Sequence, residues 1–233
     1  MKPLDPEALA QEKARIEFLK EYEYEAYRNG FQLVAGIDEA GRGPIAGPVV
    51  AAAVILPPDF FLPGVDDSKK ITAKKRTRLA SEIKRDAIAW AVASVFPPYL
   101  DKINILNATR EAMRTAVYYL CPQPDFLLID AVKLDDTNIR ERAIIKGDSL
   151  SVSIASASIL AKVERDLAMD AFDRLYPEYG FGRHKGYATR QHFETVMKFG
   201  PCAIHRGSFE PVRSILSGGT YGEQPGLFDQ DDA

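Results

Sequence analysis

The stretch Leu33-Val-Ala-Gly-Ile-Asp38-Glu-Ala-Gly-Arg42-Gly-Pro-Ile-Ala-Gly-Pro48-Val-Val-Ala-Ala-Ala-Val-Ile-Leu56 decides how the fold is read. Leu33 to Asp38 is a short apolar strand ending in a carboxylate, and Pro48 to Leu56 is a second apolar strand. The Gly- and Pro-rich segment between them predicts a tight connection. Val34, Gly36 and Asp38 share one face, and Gly36 is expected to leave open space beside the carboxylate. A carboxylate at the end of a buried strand is costly unless it binds something. Glu39 points the other way in a regular strand, so a site using both acids asks the strand to end between them. Two nucleotide patterns fail here. Gly41-Arg-Gly43-Pro-Ile-Ala46 has dinucleotide spacing but precedes a strand, and Gly36-xxxx-Gly41 lacks the Lys-Ser/Thr pair that grips phosphate and metal. Alone, the stretch reads equally well as a hairpin turn with an arginine and two surface acids.

Working outward, residues 6–28 read as one helix with Leu9, Ile16, Leu19, Tyr22 and Ala26 on one side, stopped by Asn29-Gly30. A loop with Pro57, Pro58, Pro63 and Gly64 leads to a basic helix near 72–86. Ile88, Trp90 and Val92 alternate with small residues as a third strand, ended by Pro97-Pro98. A helix over roughly 101–119 follows, then a break at Pro122-Gln-Pro124. Phe126 to Asp130 is a buried strand, another ends near Ile145, and 151–175 is a long helix with Ile159, Val163 and Leu167 at four-residue spacing. A strand meander followed by alternating strands and helices argues an α/β fold with a mixed sheet, not a bundle or a sandwich. There is no internal repeat.

Of 233 residues, 46% are apolar and 27% charged, enough for a large core and too mixed for wholesale disorder. No apolar run reaches membrane-spanning length. The first residues are acidic where a secretory signal would be apolar, and the only cysteines are Cys121 and Cys202. Both features predict a cytoplasmic protein without a disulfide framework. A net charge of −3 hides a strong asymmetry. Residues 69–85 carry eight Lys/Arg against Glu82 alone, and 183–213 carry six against Glu194 and Glu210. Residues 217–233 carry four acids and no base. Phosphate binding by the basic middle therefore stays open.

Asp130 ends a second buried strand, with Phe126 and Leu128 on its face. Two apolar strands ending in acids place carboxylates at one edge of a sheet, where α/β sites lie. Asp148 precedes the long helix, where an N-cap is the plain alternative. That helix begins with small residues, Ser151 to Ser158, which let backbone or ligand come close. Asp166 lies deep in the helix beside Arg165, as expected of a solvated ion pair. Several carboxylates without His/Cys pairing fit Mg²⁺ or Mn²⁺ rather than zinc. Tyr179-Gly-Phe-Gly-Arg-His-Lys-Gly-Tyr187 mixes aromatics and bases on a Gly-flexible loop, as contact with a sugar-phosphate chain asks, although a packed surface loop would look the same. In that packed loop His184 would be a hydrogen-bonded bystander, and His192 and His205 have no Ser or Cys partner legible here and read as structural.

The ordered blocks GIDEAGRGPIAGPVVAAAVIL, DDSKKIT, LLID, KGD, SASILAKVERD, YGFGRHKGY and HRGSFEPV resemble bacterial ribonuclease HII over roughly residues 31–213. The resemblance implies a ribonuclease H-like fold, a mixed five-stranded sheet flanked by helices with a C-terminal helical part. It further implies cutting of the RNA strand of RNA–DNA hybrids and at single ribonucleotides embedded in duplex DNA, within ribonucleotide excision repair. Position by position, the catalytic and metal-binding carboxylates are Asp38, Glu39, Asp130 and Asp148, and Asp166 does not match the fourth acid. Gly41, Arg42 and Gly43 match the loop that reads ribose 2′-hydroxyls, and Tyr187 the tyrosine that stacks on the following deoxyribose. Lys69, Lys146 and Lys185 match phosphate contacts. Ala131 stands where the family usually has Gly, and Ser156 and Ala188 replace commoner small residues. Two divalent ions, Mg²⁺ or Mn²⁺, are implied, with 3′-hydroxyl and 5′-phosphate products.

These readings divide the chain into an N-terminal helical extension (1–30), a catalytic domain with its C-terminal helical part (31–216) and an acidic flexible tail (217–233), in a monomer. Gln224, Leu227 and Phe228 form a Q-x-x-L-F pattern that resembles peptides docking on the bacterial sliding clamp. The rival readings are a ribonuclease H-fold DNA nuclease and a catalytically inactive nucleic-acid or clamp-binding module. The four matched acids, the Gly41–Gly43 loop and Tyr187 weigh against both.

Overall fold

The computed structural model describes residues 5–218. In chain order the elements are helices α1 (Pro6–Leu19) and α2 (Glu21–Arg28), strands β1 (Val34–Ala40) and β2 (Val49–Ile55), helix α3 (Ala73–Asp86), strand β3 (Ala89–Val95), helices α4 (Tyr99–Ile103) and α5 (Ile105–Tyr118), strands β4 (Phe126–Asp130) and β5 (Arg140–Ile144), and helices α6 (Val152–Leu175), α7 (Phe181–His184), α8 (Arg190–Phe199) and α9 (Val212–Leu216). They fall into two compact units, one of residues 5–40, 51–93 and 110–163, the other of 41–50, 94–109 and 164–218.

The mixed five-stranded sheet has the order β3-β2-β1-β4-β5. Strand β4 runs parallel to both β1 and β5, with Ile37 opposite Ile129 and Asp130 opposite Ile144. The first unit packs Ile16 and Leu19 of α1, Ala52 and Val54 of β2, Leu79 and Ile83 of α3, and Ile159 and Leu160 of α6 into one core. Burying each such Ile or Leu contributes about 1.5–3 kcal/mol, so α1 is held by its apolar stripe. A second cluster joins Ala26 of α2 to Val34, Phe126, Leu128, Ile144 and Ile154. Gly36 lets α6 come close: a Cβ there would stand 2.1 Å from the Ser153 carbonyl carbon. The space expected beside Asp38 is thus filled by helix backbone, and the small residues starting α6 serve the same approach.

The second unit centres on Ala46, Met169, Tyr179, Phe181, Val196 and Ile204, with the Tyr179 and Phe181 rings stacked at 5.3 Å. Thr189 caps α8, its Oγ1 accepting from His192 N over 3.3 Å.

Several sequence expectations are corrected. The helix over 6–28 is two helices, broken at Lys20 with φ −89° and ψ −1°. The helix near 101–119 is α4 and α5, separated by Asn104 at φ 67° and ψ 163°, a backbone conformation that cannot continue a helix. The third strand is present as β3, in which Ala89 and Ala91 are buried and Trp90 is 40% exposed beneath Lys84. Leu167 is exposed on α6, because four-residue spacing drifts about 40° per step on a 3.6-residue helix, whereas Met169 is buried in the cluster of the second unit. The segment Tyr179–Tyr187 contains α7 rather than only loop.

Candidate active site

Strand β1 does not end between the two acids; it continues to Ala40, with Asp38 buried and Glu39 half-buried. Glu39 N donates to Asp38 Oδ1 over 2.7 Å. Because Ile37 faces Ile129 in a parallel pair, Asp38 and Asp130 follow at the carboxyl ends of neighbouring strands. The Gly147 amide donates to Asp130 Oδ1 over 2.7 Å, which ties β4 to the 3-10 turn Gly147–Ser149 carrying Asp148. Asp148 is not the helix cap: Ser151 Oγ accepts from Ile154 N over 3.2 Å in that role.

The electrostatics follow from this crowding. Burial, then the charges of Glu39 and Asp130, hold the Asp38 carboxyl well above the usual carboxylate range, against a hydrogen bond from Ser158. Burial, Asp67 and Asp130 likewise raise Asp148, opposed by Lys69 and Lys70. Burial works against the Lys69 ammonium, yet Asp67, Asp148, Asp38 and Asp130 together raise its pKa. Lys70 reaches Asp66 and Ser149, and Lys146 is exposed at φ 58°, just before the turn.

These are hard oxygen donors crowded into one electrostatically strained edge, a set that suits a divalent cation of the Mg²⁺ or Mn²⁺ kind. Among the described residues no three Asp, Glu, His or Cys side chains gather closely enough to hold an ion. The fit therefore rests on donor chemistry and on the repulsion a cation would relieve, not on a finished cage.

In the second unit, Gly41, Arg42 and Gly43 follow directly on β1, with Arg42 and Gly43 exposed. A Cβ on Gly43 would meet only Tyr187 Cε1, at 4.0 Å. Ile45 N and Ala46 N reach the Gly186 carbonyl at 2.9 and 3.3 Å, so the loop and the Tyr187 segment are hydrogen-bonded together. Tyr187 is 42% exposed, its ring 5.9 Å from the Arg165 guanidinium. Lys185, at φ 50°, pairs through its ammonium with Asp170. Gln224, Leu227 and Phe228 lie outside the described residues.

Sequence reasoning missed several supports. Ser158 and Ser68 lie 2.9 Å apart through their hydroxyls, linking the Asp38 contact to the loop before Lys69. Glu23 of α2 is buried and accepts from Ser151 Oγ (2.6 Å) and from Ser153 N (3.0 Å) at the start of α6. Arg165, expected in a solvated ion pair, is 1% exposed and donates to main-chain carbonyls. The three histidines form a network: the His184 and His192 rings stack at 4.1 Å, and His192 and His205 meet Nε2 to Nε2 at 3.0 Å. Only Glu23, an acid amid a buried helix stripe, left a trace in the sequence pattern.

The Ribonuclease HII family profile matches residues 35–212. The chain is 68% identical over 221 residues to the ribonuclease HII of Syntrophomonas wolfei, covering 95% of this chain and 87% of the relative. It is similar in fold to ribonuclease H2 from Pyrococcus horikoshii OT3, with TM-score 0.68, 26% identity, and 80% of this chain and 98% of the other covered. The ribonuclease HII in a PCNA:RNase HII complex from Archaeoglobus fulgidus gives TM-score 0.66 and 26% identity, over 77% and 96% of the two chains. The chain belongs to the ribonuclease HII family and is a metal-dependent endoribonuclease of the ribonuclease H type.

Proposed function

We propose that Asp38, Glu39, Asp130 and Asp148 form the hydrolytic centre, and that the substrates are RNA–DNA hybrids and duplex DNA with single embedded ribonucleotides. The observation that carries this reading is the like-charged pair of buried Asp38 and half-buried Asp130 towards the carboxyl ends of adjacent parallel strands. Mutually repelling carboxylates held in place by a sheet are costly, and a phosphodiester with divalent cations is what offsets them. Mg²⁺ or Mn²⁺ bound to these four acids would supply an activated water and neutralise charge on the phosphodiester. Ser158 orients Asp38 by hydrogen bonding, Gly147 orients Asp130, and Lys69 holds a positive charge near Asp38, Asp130 and Asp148. Hydrolysis adds water at phosphorus and breaks the bond to the ribose 3′-oxygen, which leaves with a proton. The ends are then a 3′-hydroxyl and a 5′-phosphate.

Reading of the ribose falls to the second unit. The exposed Arg42 and Gly43 would read the ribose 2′-hydroxyl, the group that distinguishes RNA from DNA. Tyr187 would stack on the next sugar, with Lys69, Lys146 and Lys185 as phosphate contacts. Lys185 must exchange Asp170 for phosphate to do so. The test compares a duplex bearing one ribonucleotide, a long hybrid and an all-DNA duplex. Cutting of the first two alone supports the reading. Cutting of all-DNA duplex, or of nothing, favours the DNA nuclease or the inactive module.

The tail pattern Gln224, Leu227 and Phe228 supports a clamp-binding role, given that the Archaeoglobus relative is solved with PCNA. A peptide of residues 217–233 should bind purified bacterial clamp, and its Leu227→Ala, Phe228→Ala version should not. A cytoplasmic monomer is consistent with the sequence, and no helix among the described residues is long and apolar enough to cross a membrane.

A further inference from the structure

Two buried arginines stand behind the loop that follows β1. Arg165 and Arg206 are 1% and 0% exposed. Arg206 donates from Nη2 to the Gly41 carbonyl (2.6 Å), from Nη1 to that of Arg42 (2.9 Å) and from Nε to that of Gly47 (3.0 Å). Arg165 donates from Nε to Pro48 (3.1 Å) and from Nη2 to Ala46 (3.3 Å) and Lys185 (2.9 Å), again at main-chain oxygens. In a trans peptide the N–H points opposite to the preceding carbonyl. With the Gly41 and Arg42 carbonyls drawn inward, the N–H groups of Arg42 and Gly43 point away from Arg206. Gly41 has φ +93°, and a Cβ there would stand 2.0 Å from Arg165 Nε, so the brace also dictates glycine at this position.

We propose that Arg165 and Arg206 are positioning residues for ribonucleotide recognition, fixing the Gly41–Pro48 backbone so that the Arg42 and Gly43 amides present to a ribose 2′-hydroxyl. The inference rests on the reading of this loop given above. A guanidinium is required, because its planar fork spans two successive carbonyls and an ammonium does not. The buried charge also costs desolvation, which lowers the Arg206 pKa to about 9. That cost makes sense only where the fork geometry is needed.

The test measures KM for cleaving a duplex with one ribonucleotide, and Ki for the all-DNA duplex as competitor, in Arg206→Lys, Arg165→Lys and Gly43→Ala. Melting curves identify folded variants, and either lysine variant carries the test if the other unfolds. The expected result for the lysine variants is KM raised about tenfold or more, Ki within about twofold of wild type, and an unchanged salt slope of Ki. A purely structural defect would weaken both constants together, and such a result overturns the proposal. Loss of about one unit of salt slope would make these arginines phosphate contacts and also overturns it. Gly43→Ala separates the two levels of the account. If it raises KM while the lysine variants do not, only the positioning role fails; if none of the three changes KM, the loop reading itself fails.

Discussion

The Gly147 amide donates to Asp130 Oδ1 over 2.7 Å, so the carboxylate ending β4 is held by the turn that carries Asp148. Two acids distant in sequence become one electrostatic unit, in which burial, Asp67 and Asp130 raise the Asp148 carboxyl. Asp130→Asn and Asp148→Asn should therefore stay folded and lose cleavage by at least about 1,000-fold. Asp166→Asn, in the second unit, should retain substantial activity. Steady-state cleavage of a single-ribonucleotide duplex checks all three, and an essential Asp166 with a dispensable Asp148 would reassign the fourth acid.

Glu23 makes the N-terminal helices part of the catalytic unit's architecture. Its buried carboxyl accepts from Ser151 and Ser153, where α6 begins four residues after Asp148. Glu23→Ala removes the acceptor that Ser151 Oγ and Ser153 N share and should cost about 1–3 kcal/mol of stability. Urea unfolding measures it, and a change within error would show that water replaces the carboxyl.

The histidine network predicts acid sensitivity. Burial, with neighbouring histidines, depresses His192 to about 3 and His205 to about 4, from an ordinary 6.5. Groups with a depressed folded pKa contribute stability that is present above the unfolded value and lost as pH falls through the folded one. Unfolding free energy should hold above about pH 6.5 and decline towards pH 4 and below. Chemical denaturation across that window should show a shallower decline for His192→Gln; an equal slope would assign the acid sensitivity elsewhere.

Ala131 follows Asp130 at φ 51°, a left-handed conformation that costs a residue with a Cβ about 1–2 kcal/mol. Part of that is returned by alanine's smaller loss of backbone freedom, so Ala131→Gly should stabilise by about 0.5–1 kcal/mol. Thermal melting checks it, and destabilisation would mean that the backbone there is not strained.

The sheet and its acids were legible because the code for them is local. A buried strand is an apolar run, and a carboxylate closing such a run stands out, as Asp38 and Asp130 do. The helix break at Lys20 was not, since no Gly or Pro marks it and both halves keep one apolar stripe. Arg165 and Arg206 were illegible for a deeper reason. Apart from the Lys185 carbonyl, their partners are main-chain carbonyls more than a hundred residues away in sequence, and a carbonyl leaves no letter in the sequence. Asp67 was invisible as a neighbour of Asp148 because only the tertiary fold brings the Ser68–Lys70 loop to that turn.

The claim that the four acids are a strained hydrolytic centre is tested most directly at Asp38, by single-turnover cleavage and metal-free melting of Asp38→Asn. A raised folded pKa contributes stability only below the carboxylate range and loses it as pH rises through the raised value, so near neutrality ionised Asp38 works against folding. Asp38→Asn should melt higher than the metal-free wild type near neutral pH and cut a single-ribonucleotide duplex at least about 1,000-fold more slowly. A folded Asp38→Asn that cuts at close to the wild-type rate would contradict the account.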